Sequence, residues 1–143
     1  MIWNSVSDTF IYKDNVSLNH SCTKLNVLSQ IARIYDTFVL IGPVISKAKI
    51  FMQQVWLLKL DWYEILPPDI SQQWENFVKT LPDLEKIKIH RCFLKISAIS
   101  VVVHGLADAS SKAYCAVIYM QTVSIAEEPN CQLLCSKSRV APT

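Results

Sequence analysis

VVVHGLADASSKAYCAVIYMQ, residues 101–121, holds two apolar runs joined by a short polar turn, and its reading decides the fold. Alternation sets Val101, Val103, Gly105 and Ala107 on one face of a strand and Val102, His104, Leu106 and Asp108 on the other. Ser110, Ser111 and Lys112 are few enough to turn the chain into a second strand from Ala113 to Met120, an antiparallel hairpin. Asp108 thus stands at the far end of the first strand. A carboxylate there is either a metal ligand or a turn residue.

Outward from the hairpin, the chain changes character near Cys92. The later part is strand-like, with a third run, CQLLCSK, from Cys131 to Lys137, so a three-stranded antiparallel meander is predicted over about 100–137. Turn residues 126–130 precede that run. The earlier part is helical. Thr23 caps a helix to about Tyr35, Pro43 opens a second over about 44–60, and Asp69 or Ser71 caps a third over about 70–80 behind Pro67 and Pro68. Residues 8–13 read as a short strand, and the alternating KIKIH near Ile89 as a short strand or an extended tether with a basic face. The predicted class is α+β, with a helical unit at 1–91 and a meander unit at 92–143.

Composition narrows the function. Of 143 residues, 51% are apolar and 18% charged, which excludes a disordered chain. A net charge of +2 does not by itself imply nucleic-acid binding, so such a claim depends on where the charges lie. MIWNSVSDTF has no secretory character and no run approaches the ~20 apolar residues that span a bilayer. The expectation is a soluble, intracellular, cytoplasmic chain with no membrane partner. Five cysteines without a C-x-x-C pair read as reduced, mostly buried thiols, so the sequons at Asn15 and Asn19 are chance matches. Trp56, Trp62 and Trp74 stand at core-like helical positions. His104 reads as a partly buried structural residue, since a rise of about 3.3 Å per residue puts it roughly 13 Å from Asp108. The same rise places Cys131 and Cys135 on one face but too far apart to pair.

Four blocks in register carry a family resemblance: TKLNVLSQIARIYD, PVISKAKIFMQQVWLLKLDWYEILP, HGLADASSKAYCAVIY and LLCSKSRVAP. Together they cover nearly all the chain, which resembles the Pol polyprotein of BEL/Pao LTR retrotransposons. The resemblance implies reverse-transcriptase thumb and connection to about Thr80, with Met1-Ile2-Trp3 as the tail of the primer grip. From Val101 it implies the opening strands of a ribonuclease H-like domain, an incomplete ribonuclease H-like fold. Asp108 matches the first carboxylate of the two-metal site, whose cofactor in the parent enzyme is Mg²⁺ and whose substrate is an RNA/DNA hybrid or template-primer, inside virus-like particles. The family's next carboxylate follows the SKSRVAP block, beyond Thr143, while Glu127 and Glu128 fall in a turn. The fragment is therefore expected to bind no catalytic metal and to be inactive alone, because one carboxylate cannot supply the several ligands Mg²⁺ needs.

The copy departs from the family pattern at Leu25, at Tyr35-Asp36-Thr37-Phe38-Val39, at Tyr63 and at Cys115, changes that read as those of a decaying element. A peptidase belongs elsewhere in the polyprotein: Asp8 and Asp36 each precede Thr-Phe, where an aspartic protease needs glycine to turn its loop. Lys24, Arg33, Lys47, Lys49 and Lys59 are candidates for a thumb surface contacting phosphates, and solvated helix faces explain them as well. Two function classes stay open, a piece of a replicative enzyme and a non-catalytic remnant or interaction module. Bare strand edges also predict self-association.

Overall fold

The computed structural model describes residues 1–13, 16, 21–34, 36, 40–92, 98–124 and 129–142. Asn15, Asn19, Tyr35, Glu127 and Glu128 lie outside them. In chain order the elements are β1 (Ile2–Asn4), β2 (Thr9–Ile11), α1 (Lys24–Arg33), α2 (Gly42–Leu57), α3 (Pro68–Thr80), a 3₁₀ turn (Leu81–Lys86), β3 (Lys88–His90), β4 (Ala98–Ala109), β5 (Ala113–Ser124) and β6 (Pro129–Val140). The α+β class holds, with three helices and two three-stranded antiparallel sheets.

Local chemistry accounts for the helices. Thr23 is extended and its hydroxyl accepts from Asn26 N at 3.2 Å, the cap read from the sequence. Pro43 lies in the first turn of α2, where its missing N–H costs nothing. α2 stops three residues short of the expected Leu60, and Lys59 just beyond it takes φ 53°, the left-handed conformation that ends a helix. α3 begins earlier than predicted. Pro67 is its N-cap and Pro68 its first residue, while Asp69 lies in the first turn and Ser71 Oγ donates to Leu66 O at 3.2 Å, so neither caps the helix.

The core sits among the helices. Val27, Ala48, Val55, Leu66, Trp74 and Leu81 are buried together. Trp74 stacks on Phe51 at 5.0 Å between ring centroids and meets Phe77 at 5.1 Å. Its indole N–H donates to the buried Gln30 side chain, satisfying two polar groups that burial would otherwise penalise. Only Trp74 of the three tryptophans is core. Trp56 is 49% and Trp62 37% exposed, and they meet edge to face at 5.3 Å on the surface.

The large sheet has the order β4-β5-β6. It pairs Val101 with Thr122, Asp108 with Cys115 and Cys115 with Ser138. A bulge at Ile118/Tyr119 breaks the β5–β6 register, pairing Cys131 with Gln121 and Cys135 with Ile118. Those two partners are odd and even on β5, so the cysteines lie on opposite faces and not on one face as simple alternation predicts. The extra residue reversed the count. Four cysteines are exposed and Cys22 is half-buried, contrary to the buried thiols expected, because much of this sheet is bare. Burial pushes the Cys22 thiol up against the lowering effect of its Ser71 hydrogen bond.

α2 lies along β6. Ser46 Oγ donates to Ser138 Oγ at 2.7 Å and Gln53 Nε2 to Ala141 O at 2.9 Å. Gly42 permits the approach, since a Cβ there would meet Ser136 Oγ at 3.2 Å. β4, at the other edge, exposes Ile99, Val101, Val103 and Leu106. The bare apolar surface is therefore on β4, whereas Val117, Leu133 and Leu134, expected to lack cover, are half-buried.

The small sheet joins distant pieces of sequence, β3 pairing with β2 and β2 with β1. Asp8, at φ 47° in the β1–β2 turn, fastens it: Oδ1 accepts from Arg91 Nε at 2.7 Å and from Trp3 Nε1 at 3.0 Å, while Arg91 N donates to Asp8 O at 3.0 Å. The Arg91 and Trp3 hydrogen bonds hold the Asp8 carboxyl below its ordinary value. A depressed carboxyl pKa stabilises the folded state above the unfolded value and loses that contribution as pH falls through the folded value. NMR titration of the Asp8 carboxyl should give a midpoint below that of an ordinary aspartate, moving up toward the usual carboxylate range in Arg91→Ala.

Candidate functional site

Asp108 stands one residue from the end of β4, beside the turn that starts at Ser110. The turn is closed by Ser110: its N–H donates to Ala113 O at 2.8 Å, and its hydroxyl accepts from Ala113 N at 3.2 Å and Lys112 N at 3.3 Å. Asp108 itself accepts from Ala109 N at 2.8 Å, a local bond that leaves the other carboxylate oxygen for another partner. The residue borders two depressions, one on each side of the sheet. One, of about 250 Å³, lies under the start of α2 with Gly42, Ser46, Ser110, Ser136 and Ser138 around it. The other is an open hollow at the corner of the sheet, lined by Ala107, Ala109, Tyr114, Ala116, Lys137 and Arg139.

Ligand count decides what Asp108 can hold. A hard divalent cation takes about six oxygen ligands, with carboxylates carrying the charge neutralisation. Among the described residues no three His, Cys, Asp or Glu side chains come together, and the neighbours of Asp108 under α2 are neutral serine hydroxyls. The described residues therefore do not by themselves fit Mg²⁺. His104, on the same face four residues earlier, is exposed and not the partly buried residue predicted; its Nε2 lies 2.9 Å from Gln121 Oε1. That hydrogen bond engages one ring nitrogen within the sheet.

The five candidate phosphate contacts do not form one surface. Lys24 is buried, 6% exposed, with its Nζ 4.0 Å from the Trp56 ring centroid, 5.0 Å from that of Trp62 and 3.4 Å from Leu60 O. Its charge is held by aromatic faces and a carbonyl. That arrangement explains both the buried lysine and the two surface tryptophans, none of which helical spacing alone separates from an ordinary exposed face. Arg33 is exposed at the end of α1 and Lys59 at the end of α2. Lys47 and Lys49 are exposed two residues apart on α2, some 200° around a helix of 3.6 residues per turn. Lys47 reaches over the Phe77 ring at 5.8 Å.

Lys137 and Arg139, which the sequence reading passed over, line the open hollow that Asp108 also borders. Their spacing of two in CSKSRV was the available signal, because it places both on one face of a strand. No helix of the described residues is long and apolar enough to cross a membrane.

A family model for the Pao retrotransposon-like RNaseH-like domain matches residues 23–143. No curated protein and no solved structure matches the chain. The family match runs without a break from the Thr23 cap through all three helices and the β4-β5-β6 meander, the same blocks on which the resemblance rests. The chain therefore belongs to the Pao retrotransposon family, and residues 23–143 match its RNaseH-like domain.

Proposed function

We propose that this chain is part of a BEL/Pao Pol polyprotein that processes nucleic acid during reverse transcription, with Asp108 as the first carboxylate of its ribonuclease H site. The supporting observation is the placement of Asp108 at the end of the first strand of an antiparallel meander, inside a family match that covers residues 23–143. In this reading residues 1–91 correspond to thumb and connection, and the substrate of the parent enzyme is the RNA strand of an RNA/DNA hybrid. Two-metal hydrolysis brackets the attacking and leaving oxygens between two cations, and a single carboxylate cannot hold both. Asp108 is thus proposed as one member of a larger cluster of acids, none of which joins it among the described residues. The chain alone is without nuclease activity.

A second reading, a non-catalytic interaction module, draws its support from β4. Its apolar side chains are exposed on both faces and, among the described residues, no strand pairs with its outer edge, features that favour association with another strand. The same features support self-association of the chain.

Cleavage assays separate these readings. The 143-residue chain should leave an RNA/DNA hybrid intact in Mg²⁺ or Mn²⁺, whereas a polypeptide extended through the downstream acidic residues should cleave it and lose that activity on Asp108→Asn. Metal-dependent cleavage by the chain itself, abolished by Asp108→Asn, would overturn the ligand-count argument. Lys24 provides a separate expectation. Because its charge is enclosed by Trp56 and Trp62, Lys24→Gln should lower stability by about 1–2 kcal/mol in denaturant unfolding and leave nucleic-acid affinity unchanged.

A further inference from the structure

The charges of the large sheet are gathered at one corner. Along β4, β5, β6 and the turn between β4 and β5, the charged residues are Asp108, Lys112, Lys137 and Arg139, all at the hairpin end. Ala109 pairs with Tyr114 and Tyr114 with Arg139, while Ala107 pairs with Ala116 and Ala116 with Lys137. These six residues consequently share one face. It is the face away from α2, which lies on the Ser138 side of β6. They line an open hollow of about 630 Å³, with Asp108 at its rim.

Each part of the hollow suits a nucleic-acid strand. Lys137 and Arg139 are exposed and make no ion pair among the described residues, so their charges are available to an incoming anion. Two residues apart on a strand, they stand roughly 7 Å from each other, on the scale of adjacent phosphates in one nucleic-acid chain. Three alanines form the floor and let a sugar–phosphate backbone lie close to the sheet. Tyr114, 47% exposed beside Arg139, offers a ring for stacking. Stacking there requires an unpaired base, which selects a single strand over a duplex.

We infer that the corner formed by Tyr114, Lys137 and Arg139 is a docking surface for single-stranded nucleic acid, its phosphates on the two cations and one base on the tyrosine. The inference goes beyond the proposed function and rests on its nucleic-acid reading; the surface lies on the face of the sheet opposite the Asp108 side chain, which shares the α2 side with Cys115 and Ser138. It also moves the phosphate contacts from the helices to the sheet.

Fluorescence anisotropy of an end-labelled single-stranded RNA oligonucleotide with the 143-residue chain, in EDTA, tests it. Lys137→Gln with Arg139→Gln should weaken binding by about tenfold or more and reduce the slope of log affinity against log salt by about 2. Tyr114→Ala should weaken it about 5- to 150-fold and Tyr114→Phe should restore it, since stacking needs the ring and not the hydroxyl. Lys49→Gln, on α2, should change nothing. Affinity and salt slope unaltered in the double variant, with circular dichroism showing it folded, would overturn the inference, as would equal loss from Lys49→Gln. Anisotropy in EDTA reads binding at this corner alone and the cleavage assay reads Asp108, so failure to bind here and failure of the extended polypeptide to cleave are separate outcomes.

Discussion

The close approach of α2 to β6 is the constraint on which the other placements depend. Gly42 starts the helix against the strand, Ser46 and Ser138 share a hydroxyl hydrogen bond, and Gln53 reaches the backbone of Ala141. Residues 42, 46 and 53 recur at helical spacing, so one stripe of α2 is polar and small while Ala48, Phe51, Met52 and Val55 enter the helical core. A helix with two committed faces ties the core to the sheet. Each such hydrogen bond contributes about 1 kcal/mol, so the seam is held by geometry and by packing together. It also fixes what surrounds Asp108, because the serines beside that carboxylate come from both α2 and β6.

From the seam follows the asymmetry of the sheet. β6 is covered on its α2 side and carries Lys137 and Arg139, whereas β4 is exposed, without a charge before Asp108. Edge strands in water are normally shielded by charge, proline or cover, and among the described residues β4 has none of these along its apolar run. A surface of this kind favours a partner. The opposite corner is basic and small-floored, suited to a polyanion. One sheet thus presents an apolar edge and, at its hairpin end, the charged corner proposed above for nucleic acid.

Much of this was legible from local pattern. Periods of two and 3.6 placed the three helices and the hairpin, and Thr23 was found as a cap because its chemistry is local. What escaped reading depends on contacts between distant residues. The small sheet joins Thr9–Ile11 to Lys88–His90 across the helical region, and nothing in either tripeptide names the other. Lys24 is burial-prone only because Trp56 and Trp62 arrive beside it. The bulge at Ile118/Tyr119 moved Cys135 to the other face through a pairing register that single-strand alternation does not encode. Asp108 was identified by resemblance and by its place at a strand end. Lys137 and Arg139 became visible as a site only once Tyr114 and the alanines were paired beside them.

The seam is tested most directly by an engineered cross-link. With Ser46 Oγ and Ser138 Oγ 2.7 Å apart, Ser46→Cys and Ser138→Cys place two sulfurs within disulfide reach across α2 and β6. After mild oxidation, peptide mapping without reduction should find the two substituted positions joined, and the cross-linked chain should unfold at higher denaturant than its reduced form. If the pair stays reduced in folded protein, or joins the native cysteines instead, α2 does not lie on β6 as described and the surroundings assigned to Asp108 fall with it.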